Sequence, residues 1–244
     1  MPVSAPAETD IPEVMVQTRK VDPNHAFPLG IPPLRTWARR MAGQVLSAEL
    51  PRRWAHTQGV ARRATEIARA FSPADGEVLV AAAWLHDIGY ARELADTGMH
   101  QVDGARFLAR RGVPHRVCAL VAHHSGAAAV AGLCGLSGAL AEFADEHTPV
   151  RDALWYCDMT TSPGGEPVSF PDRLAELRTR RGPDDAVVRA LAVNEPERAA
   201  AVRRTEDLLR REAATAARCG PRWPPRWPRT RRVPATRPHA GSPE

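Results

Sequence analysis

Apolar residues recur at intervals of three or four along most of the chain, which is the spacing of one face of an α-helix. One such stripe consists of His56, Val60, Ala64, Ile67 and Phe71. No run alternates apolar and polar residues in the way that a half-buried strand does. The pattern therefore predicts an all-α protein, with His56 on the buried face of its helix.

Caps and prolines place the helix boundaries within this pattern. Pro51 suits the first position of a helix, "SPAD" at 72–75 resembles a capping box, and Gly89 is a natural residue just beyond a helix end. The predicted helices span about 33–50, 51–71, 73–88, 98–111, 114–124, 127–144, 149–159, 171–181, 184–193 and 195–217.

Composition divides the chain into three parts. Residues 1–31 are polar and rich in proline, which predicts a flexible N-terminal arm, and residues 218–244 form a Pro/Arg-rich stretch that predicts a disordered tail. A single all-α domain over 32–217 is expected between them. The C-terminal 24 residues hold six Arg and one Glu, so they account for the whole net charge of +5. The remainder of the chain, residues 1–220, is neutral, which argues against a nucleic-acid partner.

The ends of the chain and its cysteines indicate a compartment. The N-terminal segment lacks the apolar core of a signal peptide, and the four cysteines show no paired spacing. The apolar run 127–140 is too short to span a bilayer. We therefore expect a cytoplasmic protein with no membrane partner. The sequence leaves its oligomeric state open.

Residues 81–91, "AAAWLHDIGYA", place His86 and Asp87 at the end of an apolar helix. Asp158 lies four and eight residues after Leu154 and Val150, so a second carboxylate faces inward. Buried charges need a compensating partner, and no lysine lies nearby. The inward His and Asp side chains predict a divalent metal. This donor set favours Mn, Fe, Co, Ni or Zn over Ca.

His56, "HDIG" at 86–89, "HHSG" at 123–126 and Asp158 together resemble the HD-domain metal-dependent phosphohydrolase superfamily. The resemblance implies an all-α, HD-domain-type helical bundle that binds one or two divalent transition metals. The ligands that it implies are His56, His86, Asp87, His100, His123 and Asp158. It also implies a catalytic role for Asp87, which bridges both metals in the two-metal members.

Two positions depart from a simple transfer of the family pattern. Helical spacing from Val117 and Leu120 favours His124 on the buried face, whereas the family pattern favours His123 as the ligand. We take His123 as the ligand and His124 as a catalytic group that contacts substrate or transfers a proton. Many members read HDIGK, but Tyr90 replaces the lysine here.

Substrate contacts follow from that replacement. Arg92 is a candidate for holding a phosphate in place of the lysine, and Arg62, Arg63, Arg92 and Arg173 are candidates for offsetting the charge that develops on phosphorus. We take Arg92 and Arg173 as the substrate-binding residues. The expected activity is hydrolysis of a phosphoester or phosphoanhydride by metal-activated water, with a small phosphorylated molecule, a nucleotide, as substrate. Two alternatives remain open at this point: a di-iron oxygenase of the HD fold, and a non-catalytic module that binds a metal or nucleotide.

Overall fold

A computed structural model describes residues 33–219, and these residues form a bundle of α-helices. The helices are α1 (Leu34–Leu46), α2 (Pro51–Ile67), α3 (Pro73–Leu85), α4 (His100–Arg110), α5 (His115–Ala122), α6 (Ala127–Cys134), α7 (Ser137–Leu140), α8 (Pro149–Met159), α9 (Phe170–Arg181) and α10 (Ala186–Cys219). No β-strand occurs in this part of the chain, so the all-α prediction is confirmed. The predicted arm 1–31 and the tail beyond Cys219 lie outside the described residues.

Three helices begin with the same local chemistry. Ser72, Thr148 and Ser169 precede α3, α8 and α9, and each side chain accepts a backbone N–H from the third residue after it. A proline follows at the first or second helical position, where its missing N–H costs no hydrogen bond. The serine cap that "SPAD" predicts is therefore present.

Helix α3 occupies the centre of the bundle and contacts α1, α2, α5 and α8. Its residues Leu79, Val80, Ala81, Ala82, Ala83 and Leu85 are almost fully buried. A helix that is apolar on all sides must be surrounded by other elements. Since His86 and Asp87 follow this helix directly, they are carried into the interior.

The number of helices differs from the prediction in two stretches of the chain. The helices expected at 184–193 and 195–217 form one helix, α10, with Pro196 inside it. Arg204 of α10 binds Asp152 of α8 through two hydrogen bonds, so tertiary contacts outweigh the one backbone hydrogen bond that Pro196 cannot make. The helix expected over 127–144 is interrupted at Gly135, whose φ of 70° lies in the left-handed region.

Gly89 has a different role from the helix end that we predicted. Helix α3 ends at Leu85, and a short 3₁₀ turn, Ile88–Tyr90, contains the glycine. A Cβ atom on Gly89 would lie 2.0 Å from the carbonyl oxygen of His100. The glycine therefore allows the "HDIG" turn to pack directly against the start of α4, which carries His100.

One stretch of the described residues, His115–Cys134, is long and apolar enough to cross a membrane by length and composition alone. Most of it is buried, since 72% of its most apolar 18-residue segment lies inside the bundle. Ser125 and Gly126 interrupt it with φ angles of 49° and 73°. The stretch therefore consists of two core helices, α5 and α6, joined by a tight turn.

Candidate metal centre

The first group of potential ligands comes from α2, the end of α3 and the end of α8. His56, His86 and Asp158 each offer one ligand atom, and these atoms lie within 4.8 Å of one another. The Nε2 atom of His56 is 2.9 Å from Oδ1 of Asp158. All three side chains are buried, so the inward orientation that the sequence predicts for His56 and Asp158 is confirmed.

A second group lies beside the first and contains Asp87, His100 and His124. The two oxygens of Asp87 face different groups. Oδ1 is 3.4 Å from Nε2 of His100 and 3.7 Å from Nε2 of His124, whereas Oδ2 is 3.2 Å from Nε2 of His86. The carboxylate of Asp87 is therefore in position to bridge two cations.

Backbone carbonyls hold the other ring nitrogen of three of these histidines. Nδ1 of His56 lies 2.9 Å from the carbonyl oxygen of Ser162, Nδ1 of His86 2.8 Å from that of Ala83, and Nδ1 of His124 2.7 Å from that of Val121. A carbonyl only accepts, so each Nδ1–H donates, and Nε2 is the ring nitrogen that faces the cluster. This arrangement is typical of histidines that bind a metal through Nε2.

His123 points away from both groups, although it is the residue that we took from the family pattern. Its Nε2 is 2.6 Å from the carbonyl oxygen of Phe143, so this nitrogen carries a proton and donates it. Its backbone carbonyl accepts a hydrogen bond from the indole of Trp155. The structure thus places His124 in the cluster and gives His123 contacts that anchor the turn from outside it.

The charges of the cluster call for a cation. Burial alone would raise the pKa of the Asp87 carboxyl, but Arg53 and His86 hold it well below its usual range. The pKa of Asp158 is likewise held well below its usual range, because a hydrogen bond from His56 outweighs burial. Nε2 of His86 is buried and has no hydrogen-bond partner among the described residues. Two ionised carboxylates and an unpartnered imidazole nitrogen fit a divalent metal.

Residues 53–160 match the family model of the HD domain. The chain contains an HD domain. This match bears out the resemblance to the HD superfamily and covers α2 to α8, which carry every ligand described above. No curated protein and no solved structure matches the chain significantly. HD domains bind divalent metals, so the match and the ligand geometry agree on a metal-binding role.

Arg53 and Tyr90 lie next to each other beside the cluster, and Tyr90 is the residue that replaces the lysine of many family members. Nη1 of Arg53 donates to Oδ2 of Asp87 at 2.7 Å, and its guanidinium lies 4.0 Å from the centre of the Tyr90 ring. The same ring stacks on His100 with centroids 3.8 Å apart. Tyr90 therefore supports both a ligand histidine and an arginine that brings positive charge to the cluster.

The segment after α8 orients His56. Gly165 lies so close to α2 that a Cβ atom on Gly59 would be 2.4 Å from its carbonyl oxygen. This contact brings the carbonyl of Ser162 to His56. Arg62 donates to the carbonyl of Gly165 at 2.8 Å, and Arg63 donates to the hydroxyl of Tyr156 at 2.6 Å. Both arginines thus bind structural partners.

The two arginines that we predicted for substrate lie in different surroundings. Arg92 is exposed in a 3₁₀ turn and does not line the cavity next to the ligands. Arg173 is buried, lines this cavity and pairs with Glu176. The structure therefore brings Arg173 to the HD cluster and leaves Arg92 outside it.

Three residues at the centre were missing from the sequence prediction. Arg53 precedes His56 by three positions, so helical spacing alone places both on one face of α2. Ser125, whose hydroxyl contacts Asp158, lies inside the quoted "HHSG" motif. Arg198 lies on α10, outside the HD match, and no local pattern connects it with the motifs.

Proposed function

We propose that the chain is a metal-dependent phosphohydrolase that cleaves a phosphoester or phosphoanhydride, with a nucleotide as its substrate. The charge of the cavity beside the ligands is the observation that carries this proposal. Five arginines line this cavity of about 50 Å³ together with two aspartates, Asp87 and Asp158. The arginines are Arg53, Arg173, Arg180, Arg181 and Arg198. Such a surface attracts an anion and offsets charge that develops on phosphoryl oxygens.

The ligand geometry supports the same reaction class. His56, His86 and Asp158 would hold one divalent transition metal, Asp87 would bridge to a second, and His100 and His124 would complete the second site. When bound, such metals supply a Lewis acid and lower the pKa of water toward neutrality. His124 is thus proposed as a ligand, in place of His123.

The residues around the cluster have distinct roles in this proposal. Ser125 contacts Asp158 and fixes the orientation of its carboxylate, while Arg53 lies beside Asp87 at the entrance. If Asp87 served as a metal ligand, the guanidinium of Arg53 would be available to a phosphoryl oxygen. Tyr90 keeps Arg53 in place through its ring, which compensates for the missing lysine.

A cleft next to the cavity offers room for the rest of the substrate. It has a volume of about 390 Å³ and shares Arg53, Tyr90 and Arg173 with the ligand cavity. Leu50 and Pro163 also line it, so part of its surface is apolar. An apolar surface next to an anion site suits a nucleotide, because the base could pack on the apolar surface while the phosphate binds at the anion site.

The test is phosphate release from a panel of nucleotides and phosphoesters by protein loaded with Mn, Fe or Zn. We expect His86→Ala and Asp158→Ala to lose activity by orders of magnitude, because metal catalysis supplies several kcal/mol of barrier lowering. His115→Ala is the matched control, since this histidine is exposed on α5. Equal turnover in the parent and both variants would reject the proposal, as would metal-dependent O₂ uptake without phosphate release.

A further inference from the structure

Arg198 is a buried arginine without a carboxylate partner. Its side chain lies on α10 with 2% of its surface exposed. Nη1 contacts the sulfur of Met159 at 3.8 Å, and Nε has no hydrogen-bond partner within the described part of the chain. Among residues 33–219, no Asp or Glu forms an ion pair with it. A buried guanidinium that lacks acceptors is unfavourable unless something else supplies them.

The position of Arg198 is fixed by the packing of α10 against the turn that carries His124. Gly126 ends this turn with φ of 73°, and a Cβ atom there would lie 3.0 Å from Nε of Arg198 and 2.4 Å from Nδ2 of Asn194. Asn194, one helical turn before Arg198, donates to the carbonyl of Gly126 at 2.8 Å. These contacts fix α10 against the "HHSG" turn, so Arg198 is held at the wall of the ligand cavity.

The surroundings of Arg198 favour an anion. Burial lowers the pKa of its guanidinium to about 10, which still leaves it charged at neutral pH. Arg173 lines the same cavity, and its own Nε is buried without a partner. The negative charge of Asp158 acts on Arg198, but the oxygens of Asp158 already accept from His56 and Ser125. Two guanidinium N–H groups thus lack acceptors at one side of the cavity.

We propose that Arg198 and Arg173 form an oxyanion-binding subsite next to the metal ligands, and that this subsite receives a phosphoryl group of the substrate. The subsite deepens the proposed phosphohydrolase function and rests on it for the identity of the anion. Both residues lie beyond the HD match at 53–160, on α9 and α10. The C-terminal helices would then supply substrate recognition to a metal-binding core that ends at α8.

The experiment measures binding of inorganic phosphate to the full chain by calorimetry, with metal removed by chelator and again with Mn²⁺ added. We expect Arg198→Met to weaken phosphate binding roughly 10- to 100-fold, the usual effect of losing a hydrogen bond to a charged group. Arg198→Lys keeps the charge and should retain part of the affinity. Arg203→Met is the matched control, because Arg203 is an exposed arginine on the same helix.

Melting temperature separates this role from a structural one. If Arg198 serves an anion, Arg198→Met without phosphate melts at or above the parent temperature, and added phosphate raises it less than in the parent. A large drop in the melting temperature, or unchanged phosphate affinity, would overturn the subsite. Because binding is measured without turnover, phosphate binding through Arg198 in a chain that cleaves no phosphoester would reject the proposed function alone.

Discussion

Two buried arginines on neighbouring helices have opposite surroundings. Arg151 of α8 is 4% exposed, and Arg198 of α10 is 2% exposed. Arg151 forms ion pairs with Asp145, Asp152 and Glu197, and its guanidinium lies 3.7 Å from the ring centre of Trp155. Arg198 has a single thioether contact. The fold itself neutralises the first charge, whereas it leaves the second without an acceptor.

This difference separates structural charges from functional ones. The ion pairs around Arg151 hold α10 against α8 and need nothing from solution. The cavity side of α10 instead faces two ionised carboxylates, Asp87 and Asp158, and carries the guanidinium of Arg198, whose Nε lacks a partner among the described residues. These groups require a cation and an anion from outside. Unsatisfied buried polar groups are costly, so their concentration in one cavity indicates a ligand site.

The largest expected effect on the cavity side is a loss of turnover, and it should distinguish the adjacent histidines His123 and His124. We expect His124→Gln to reduce metal-dependent turnover at least about 1,000-fold, because it removes a ligand from the second group. His123→Gln should keep both metal content and turnover near the parent level, since the His123 ring hydrogen-bonds to the carbonyl of Phe143 and not to the ligand cluster. Elemental analysis and turnover of both variants check this. The reverse result, with His123 as the sensitive residue, would return the ligand assignment to the family pattern.

Substitution of Arg151 should lower the unfolding free energy and leave the activity unchanged. Arg151→Met leaves Asp145 and Asp152 with fewer cationic partners in a buried setting, which costs about 3 kcal/mol of unfolding free energy. Chemical denaturation measures this loss, and metal content should stay at the parent level. Arg198→Met provides the contrast, because it should cost no stability. A loss below about 1 kcal/mol for Arg151→Met would remove the distinction between the two arginines.

Local patterns were sufficient for most of the fold. The apolar run of α3 indicates a central helix without any tertiary information, and the caps at Ser72 and Thr148 depend on neighbouring residues only. Helical spacing along α5 also pointed to His124, and its ring does face the cluster. Boundaries failed where distant contacts decide them, as in α10, which continues through Pro196.

The site was predictable only as far as its residues lie in the motifs. His56, His86, Asp87, His100 and Asp158 come together as the resemblance implied. The phosphate candidates were harder to place, because Arg92 and Arg173 differ in burial rather than in sequence context. Arg198 depends on the packing of α10 against Gly126, which no spacing along the chain encodes.

A smaller effect is expected where the segment after α8 crosses α2. Gly59→Ala would place a methyl group 2.4 Å from the carbonyl oxygen of Gly165, which displaces the segment that orients His56. We expect a loss of about 1–3 kcal/mol in unfolding free energy, together with weaker metal binding. Gly43→Ala in α1 is the matched control. Its Cβ would meet only Trp54, at 3.5 Å, so higher helix propensity should stabilise it slightly.

Stability curves and metal titrations of both glycine variants measure these effects. Unchanged metal affinity in Gly59→Ala, with reduced stability, would mean that the Ser162 carbonyl does not control the orientation of His56.

The smallest expected effect is a proton released when metal binds. Burial lowers the pKa of His86, but the charge of Asp87 outweighs it and raises the pKa above its usual 6.5. A raised pKa means that the metal-free site holds this proton to higher pH, and a metal ligand must give it up. Metal affinity should therefore fall as pH decreases through this pKa, by about tenfold per pH unit for one proton.

Calorimetric Mn²⁺ titrations at pH 7, in buffers with different ionisation enthalpies, count the released protons. His147→Ala is the control, because its ring is exposed just before α8 and its loss should not alter the count of released protons. Metal binding without proton release would show that His86 is already neutral, and that Arg53 suffices to balance Asp87.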